Sequence, residues 1–208
     1  MGLGRLHSSL TFVPMEISID VIKALRDKTG VSVAQCKKAL EEAGGDVQKA
    51  EVLLRKKSGA AAEKKADREL GAGVIGSYVH DGAIGAMIVL SCETDFVAKN
   101  PEFPALAREI AMQAAATAPE YLSEADIPEE KKAAAMAIFA GEVEGKPEEM
   151  KEKILSGKMN SYFAGSVLTM QPYIKDESKT VKDLITEASQ KFGERVEITR
   201  FVRFSARG

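Results

Sequence analysis

The chain has 208 residues, 45% of them hydrophobic and 29% charged, with a formal net charge of −2; that is room for one substantial domain plus a small module, with enough apolar content for a core. A balance of 29 basic against 31 acidic side chains speaks against direct nucleic-acid binding, which calls for a basic excess to neutralise phosphates. Cys36, Cys92, His7 and His80 make up neither a four-ligand zinc pattern nor a disulfide framework, so no metal or cofactor is expected and a reducing compartment is favoured.

No run approaches the roughly 18 apolar residues that a membrane-spanning helix needs, so no membrane partner is expected. Residues 1–14 carry one Arg, no acidic residue and no signal-peptide core. They read as an extension, an expression remnant or a start misplaced upstream of Met15, with an organellar presequence as the alternative.

Residues 15–57 read as a three-helix module. Ser18 caps a helix that carries Ile19, Ile22 and Leu25 on one side and stops at Thr29-Gly30. Ser32 opens a second helix with Val33, Cys36 and Ala39-Leu40 inward, ending at Gly44-Gly45; Asp46 caps a third with Val47, Ala50 and Leu53-Leu54. Residues 58–72, rich in Ala, Glu and Lys, lack an apolar stripe and read as a partly helical, solvated linker.

Residues 73–208 change period. The runs 74–79 and 84–90 are strand-like and flank His80-Asp81-Gly82-Ala83, a hairpin turn signal in which Asp-Gly supplies positive φ. The second run is apolar almost throughout and reads as a central strand. Helices are expected from Thr94-Asp95, from Pro101 to Ala118, from Pro128 to Gly141, from about Pro147 towards Tyr162, and from Thr180 or Val181 to Phe192-Gly193. Residues 196–204 alternate apolar and polar, the pattern of a strand with one wet face. The predicted class is α+β: the three-helix, ubiquitin-associated-like module, a linker, then an antiparallel three-stranded sheet packed with helices.

Two constellations stand out. The first is Cys92-Glu93-Thr94-Asp95-Phe96-Val97-Ala98-Lys99-Asn100. As an enzyme site it offers a thiol beside two carboxylates, with His80 as a possible neighbour. Negative neighbours suppress the thiolate, and no phosphate loop, metal set or nucleophile elbow accompanies it. No catalytic residue is therefore assigned. Local structure alone would make Thr94 or Asp95 a helix N-cap. Phe96 and Val97 are two apolar residues in one first turn, and they cannot both be expected to face a core. An aromatic on a strand-to-helix corner can be an interface anchor as readily as a core residue.

The second constellation runs from Leu25-Arg26 through Thr29-Gly30-Val31-Ser32-Val33 to Cys36-Lys37-Lys38-Ala39-Leu40. The plain reading is a turn in a small bundle. The functional reading is that the Gly turn exposes Val31 and Val33 as an apolar patch for a protein partner, as in ubiquitin-binding modules of the same shape.

Together these segments resemble the bacterial-type elongation factor Ts family. The resemblance is carried by the first segment, continuing through Glu42-Ala43-Gly44-Gly45-Asp46 and Ala50, and by Thr94-Asp95-Phe96-Val97-Ala98 after Cys92-Glu93. Gln171-Pro172-Tyr173 and Ser178-Lys179-Thr180-Val181 match more weakly. The likeness spans about Ile17 to Phe204 and corresponds to the family's short form with a single core copy. The chain departs from it at Ser32, Val33 and Ala34, where a Gly and methionines are usual, and at Gln35, where an Asp is usual.

The resemblance implies a guanine nucleotide exchange factor whose partner is the GTPase elongation factor Tu, with a homodimer as a further possibility. By position, Phe96 would be a wedge near the nucleotide's Mg²⁺, and Asp95 its polar companion in the Thr94–Val97 corner. Arg26, Val31, Val33 and Lys65 would support the grip, and His80 lies at a turn that the family also uses for contact. The bacterial cytoplasm is the expected setting, with an organelle matrix as the alternative. The rival reading is a ubiquitin-associated-like adaptor that binds a protein through residues 31–33 and leaves nucleotide release unchanged.

Overall fold

The computed structural model describes residues 17–143, 145 and 147–206; the extension expected over residues 1–14 lies outside the described residues. The chain divides into two compact units, with the boundary between Lys57 and Ser58.

The first unit contains α1 (Ile19–Thr29), α2 (Val33–Glu42) and most of α3 (Val47–Glu63). The expected caps are in place: Ser18 accepts from the Val21 N–H, Ser32 from the Gln35 N–H and Asp46 from the Lys49 N–H, each satisfying an amide that the helix leaves unpaired. Ile22, Leu25, Cys36, Ala39, Leu40, Ala50 and Leu54 form the small core, together with Val31 from the first turn. Beyond the boundary α3 continues to Glu63, then gives way to turns at Lys64.

The second unit is built on β1 (Ala72–His80), β2 (Ile84–Cys92) and β5 (Val196–Ser205), antiparallel in the order β1-β2-β5. This is the expected three-stranded sheet, with the almost wholly apolar β2 at its centre. Asp81 and Gly82 both take positive φ in the connecting turn, at 48° and 67°, which matches the right-handed twist of the flanking strands. The helices are α4 (Asp95–Ala98), α5 (Glu102–Thr117), α6 (Glu129–Ala140), α7 (Glu148–Phe163) and α8 (Val181–Phe192). A small hairpin of β3 (Pro172–Tyr173) and β4 (Asp176–Thr180) precedes α8. It is not legible in the sequence, because strands this short and polar carry no period. It is pinned from below by the fully buried Gln113, whose Nε2 donates to the Pro172 carbonyl while its Oε1 accepts from the Ile174 N–H. A separate apolar cluster of Ile127, Ala135, Phe163 and Val167 holds α6 and α7 together.

The main core lies between the sheet and α5, where Ala86, Ile88, Leu90 and Cys92 meet Phe103, Ala107, Ile110, Ala111 and Ala114. The small side chains on this face of α5 let helix and sheet approach closely, and the tightest point is Gly76. A Cβ added there would lie 2.3 Å from the backbone carbonyl of Ala107.

One expectation for β5 is corrected. Its alternation does not run unbroken, because a bulge interrupts the β2–β5 register: Leu90 faces Ile198 while Val89 faces Arg200, leaving Thr199 as the extra residue. Val196 and Ile198 are buried, but past the bulge the inward positions pass to Phe201 and Arg203. Val202 and Phe204 thus share the opposite face of the sheet with Ile75, Val79 and Met87, all of them exposed. The face expected to be wet is largely apolar. A single inserted residue reverses which side chains face inward.

Gly76→Ala should lower stability by about 1–3 kcal/mol, since α5 must shift to admit the methyl group. Denaturant unfolding measures this, and an unchanged midpoint would show that the close approach relaxes freely.

Candidate functional site

The corner at residues 94–97 forms where β2, the central strand, leaves the sheet. Thr94 is extended (φ −126°, ψ 156°) and stands at the N-cap position of α4, a helix of four residues. Within that single turn the two apolar residues part ways. Val97 is 4% exposed and joins the main core, whereas Phe96 is 82% exposed. The even choice that the sequence left between core and anchor is thereby divided: Val97 secures the corner from beneath and Phe96 stands out from it. Asp95 is exposed beside it and paired with Lys99 at 2.6 Å, and the Lys99 ammonium holds the Asp95 carboxyl below its ordinary range.

Thr94 does not cap α4 with its side chain. Its hydroxyl donates instead to Glu194 Oε1 at 2.5 Å, and the Glu93 and Thr94 amides donate to Glu194 Oε2 at 3.1 and 3.0 Å. In return the Arg195 N–H donates to Glu93 Oε1 at 2.5 Å, and Arg68 Nη1 donates to the same oxygen at 3.1 Å. The Arg195 amide, followed by Arg68, holds the Glu93 carboxyl below the usual carboxylate range. The Cys92 thiol is fully buried and its pKa is pushed up, first by burial and then by Glu194. That is the direction expected of it and the wrong one for a nucleophile.

Lys65 lies on the same side of this unit. Its amine donates to the Ser189 carbonyl at 2.8 Å, and burial followed by Arg68 lowers its pKa. His80 is elsewhere. The β1–β2 register pairs it with Ile84, at the opposite end of the hairpin from Cys92, roughly 26 Å away along the strand. The possible pairing of His80 with the thiol is therefore corrected by the register. His80 instead meets the Tyr78 hydroxyl at 3.2 Å and Asp81 at 3.6 Å.

In the first unit Arg26 is about half exposed and lies 4.0 Å from Asp27. The turn after α1 corrects the expected pair of exposed valines: Val33 is 53% exposed, but Val31 is 5% exposed and packs in the three-helix core. The left-handed Gly30 (φ 68°) turns the chain so that Val31 folds inward and adds to a small core.

Sequence reasoning found the corner but missed Glu194, Arg195 and Arg68. Their partners at the corner are 25 or more residues away along the chain, and no local pattern signals such a pairing. Among the described residues no group of three or more His, Cys, Asp or Glu side chains could hold a metal ion, and no helix is long and apolar enough to cross a membrane.

Comparison with known proteins agrees with the motifs. The family model described as "Elongation factor TS" matches residues 20–207. Elongation factor Ts of Thermodesulfovibrio yellowstonii is 49% identical over 191 residues, covering 91% of this chain and 96% of its own length. Elongation factor Ts of Coprothermobacter proteolyticus is 46% identical over 194 residues, covering 92% and 98%, and that of Thermotoga neapolitana is 48% identical over 191 residues, covering 91% and 97%. The family match runs through most of the first unit and nearly all of the second, and the relatives are covered almost end to end, so the chain belongs to the elongation factor Ts family.

Proposed function

We propose that this protein binds the GTPase elongation factor Tu and promotes release of its GDP, acting by contact and without covalent chemistry of its own. The observation that carries the reading is Phe96, a large aromatic left 82% exposed on a corner whose next residue is buried. Exposing a phenylalanine forgoes roughly 1.5–3 kcal/mol of burial, which a partner's pocket can recover. Phe96 acts as a wedge near the nucleotide's Mg²⁺, with Thr94 and Asp95 as its polar flank and Val97 as its fixed base. Mg²⁺ holds near-ideal octahedral geometry, so a small displacement of its ligands weakens nucleotide binding.

Binding linkage sets the size of the task. A protein that weakens GDP binding a thousandfold is itself bound a thousandfold more weakly by the GDP form, a coupling of about 4 kcal/mol. One buried Phe falls short of that. The remainder comes from a supporting grip in which Arg26 and the exposed Val33 contact the GTPase and Val31 shapes their turn from within. His80 adds a contact at the hairpin turn, and Lys65 braces the region around the corner. The bacterial relatives support a cytoplasmic setting.

A second reading concerns self-association. Ile75, Val79, Met87, Val202 and Phe204 share one exposed face of the three-stranded sheet. We assign this face to a second copy of the chain, in keeping with the dimer that the short-form resemblance implies. A two-fold contact places the same patch on both partners, and apolar side chains on three adjacent strands suit that arrangement.

Phe96→Ala should slow release of a fluorescent GDP analogue from elongation factor Tu by about tenfold to a hundredfold, equivalent to ~1.4–2.8 kcal/mol, with the circular dichroism unchanged. A wild-type rate from the folded variant would remove the wedge. Sedimentation of the wild-type protein should give twice the chain mass and that of Val79→Glu the single mass; a monomeric wild type would exclude the dimer.

A further inference from the structure

The β2–β5 ladder ends at the pair Cys92–Val196. Continuing the register would set Glu93 against Arg195 and Thr94 against Glu194, and there side chains take over from the main chain. Glu194 reaches across to the amides of Glu93 and Thr94 and to the Thr94 hydroxyl, while Glu93 reaches back to the Arg195 amide. Arg68 closes the ring: its guanidinium donates to Glu93, and its carbonyl accepts from Arg195 Nη1 at 2.7 Å. The chain can therefore leave the sheet and turn into α4 while still fastened to β5.

A helix of four residues cannot hold itself, and its N-cap threonine does not cap it. Two tertiary attachments fix it instead, Val97 below and Glu194 beside it. Glu194 is brought there by Gly193, which ends α8 in the left-handed conformation (φ 75°). We infer that Glu194 is a positioning residue for Phe96: its carboxylate fastens residues 93 and 94 so that the aromatic two positions further on is presented in one orientation. This role rests on the exchange reading above. Holding the corner before the encounter removes the ordering that the partner's pocket would otherwise impose. Loss of the fastening should therefore appear in the exchange step more than in the affinity supplied by the rest of the surface.

The test compares Glu194→Ala, Glu194→Gln and Phe96→Ala with the wild-type protein in release of a fluorescent GDP analogue from elongation factor Tu. Amide hydrogen exchange is followed in parallel. Glu194→Ala should lower the maximal release rate about tenfold, the equivalent of ~1.4 kcal/mol, with a much smaller change in the half-saturating concentration. Deuterium uptake should rise at residues 92–98, with β2 and α5 still protected. Glu194→Gln keeps an oxygen able to accept from both amides and should restore most of the rate, which a general loss of folding would not allow. Should Glu194→Ala not fold, Glu194→Asp carries the same test, its carboxylate drawn back by one methylene.

A folded Glu194→Ala that releases GDP at the wild-type rate, in an assay where Phe96→Ala is slow, would overturn the positioning role alone. So would a Gln variant as slow as the Ala variant. No acceleration by the wild-type protein would remove the exchange reading and this role with it.

Discussion

The larger unit depends on the close packing of α5 across β1 and β2. Ala107, Ala111 and Ala114 present little more than methyl groups to the sheet, and Gly76 presents none, so helix and strand backbones approach more closely than ordinary side chains would permit. Interiors are packed as densely as organic crystals, and such an approach leaves no room for drift. Ala86, Ile88, Leu90 and Cys92 are thereby set on one side of β2. The direction in which the chain leaves the end of that strand is set with them.

The corner inherits this rigidity. It has almost no local means of support, being one turn of helix after an extended threonine. Its order is borrowed from Val97, which continues the core outward, and from the crossed carboxylates of Glu93 and Glu194, which continue the strand pairing. Each carboxylate accepts at least two hydrogen bonds. Hydrogen bonds to an ionised acceptor are the stronger kind. Phe96 is the residue left without a place in this arrangement, and for that reason it is available to a partner.

The three-helix unit follows the same logic at smaller scale. With few apolar residues to enclose, it draws Val31 from its turn into the core and leaves Val33 outside. What remains in solvent beside the tight turn, once that core is satisfied, includes Val33 and the half-exposed Arg26.

Much of this was legible in the chain. Caps at Ser18, Ser32 and Asp46, the Asp81-Gly82 turn, the apolar run of β2 and the helical periods are local signals, and local propensity with hydrophobic period determined the α+β class and the existence of the corner. Three matters were settled only by the tertiary structure. Which of Phe96 and Val97 faces the core depends on where α4 lies against α5 and the sheet. Which residues of β5 face inward depends on the bulge at Thr199, which is defined by pairing with β2 and not by the strand itself. The fastening of residues 93 and 94 by Glu194 joins positions about a hundred residues apart, and a glutamate after a helix-ending glycine is, in sequence, simply a polar residue in a turn. Period and capping act within a few residues and can be read there, whereas burial and long-range hydrogen bonds come into being only when distant segments meet.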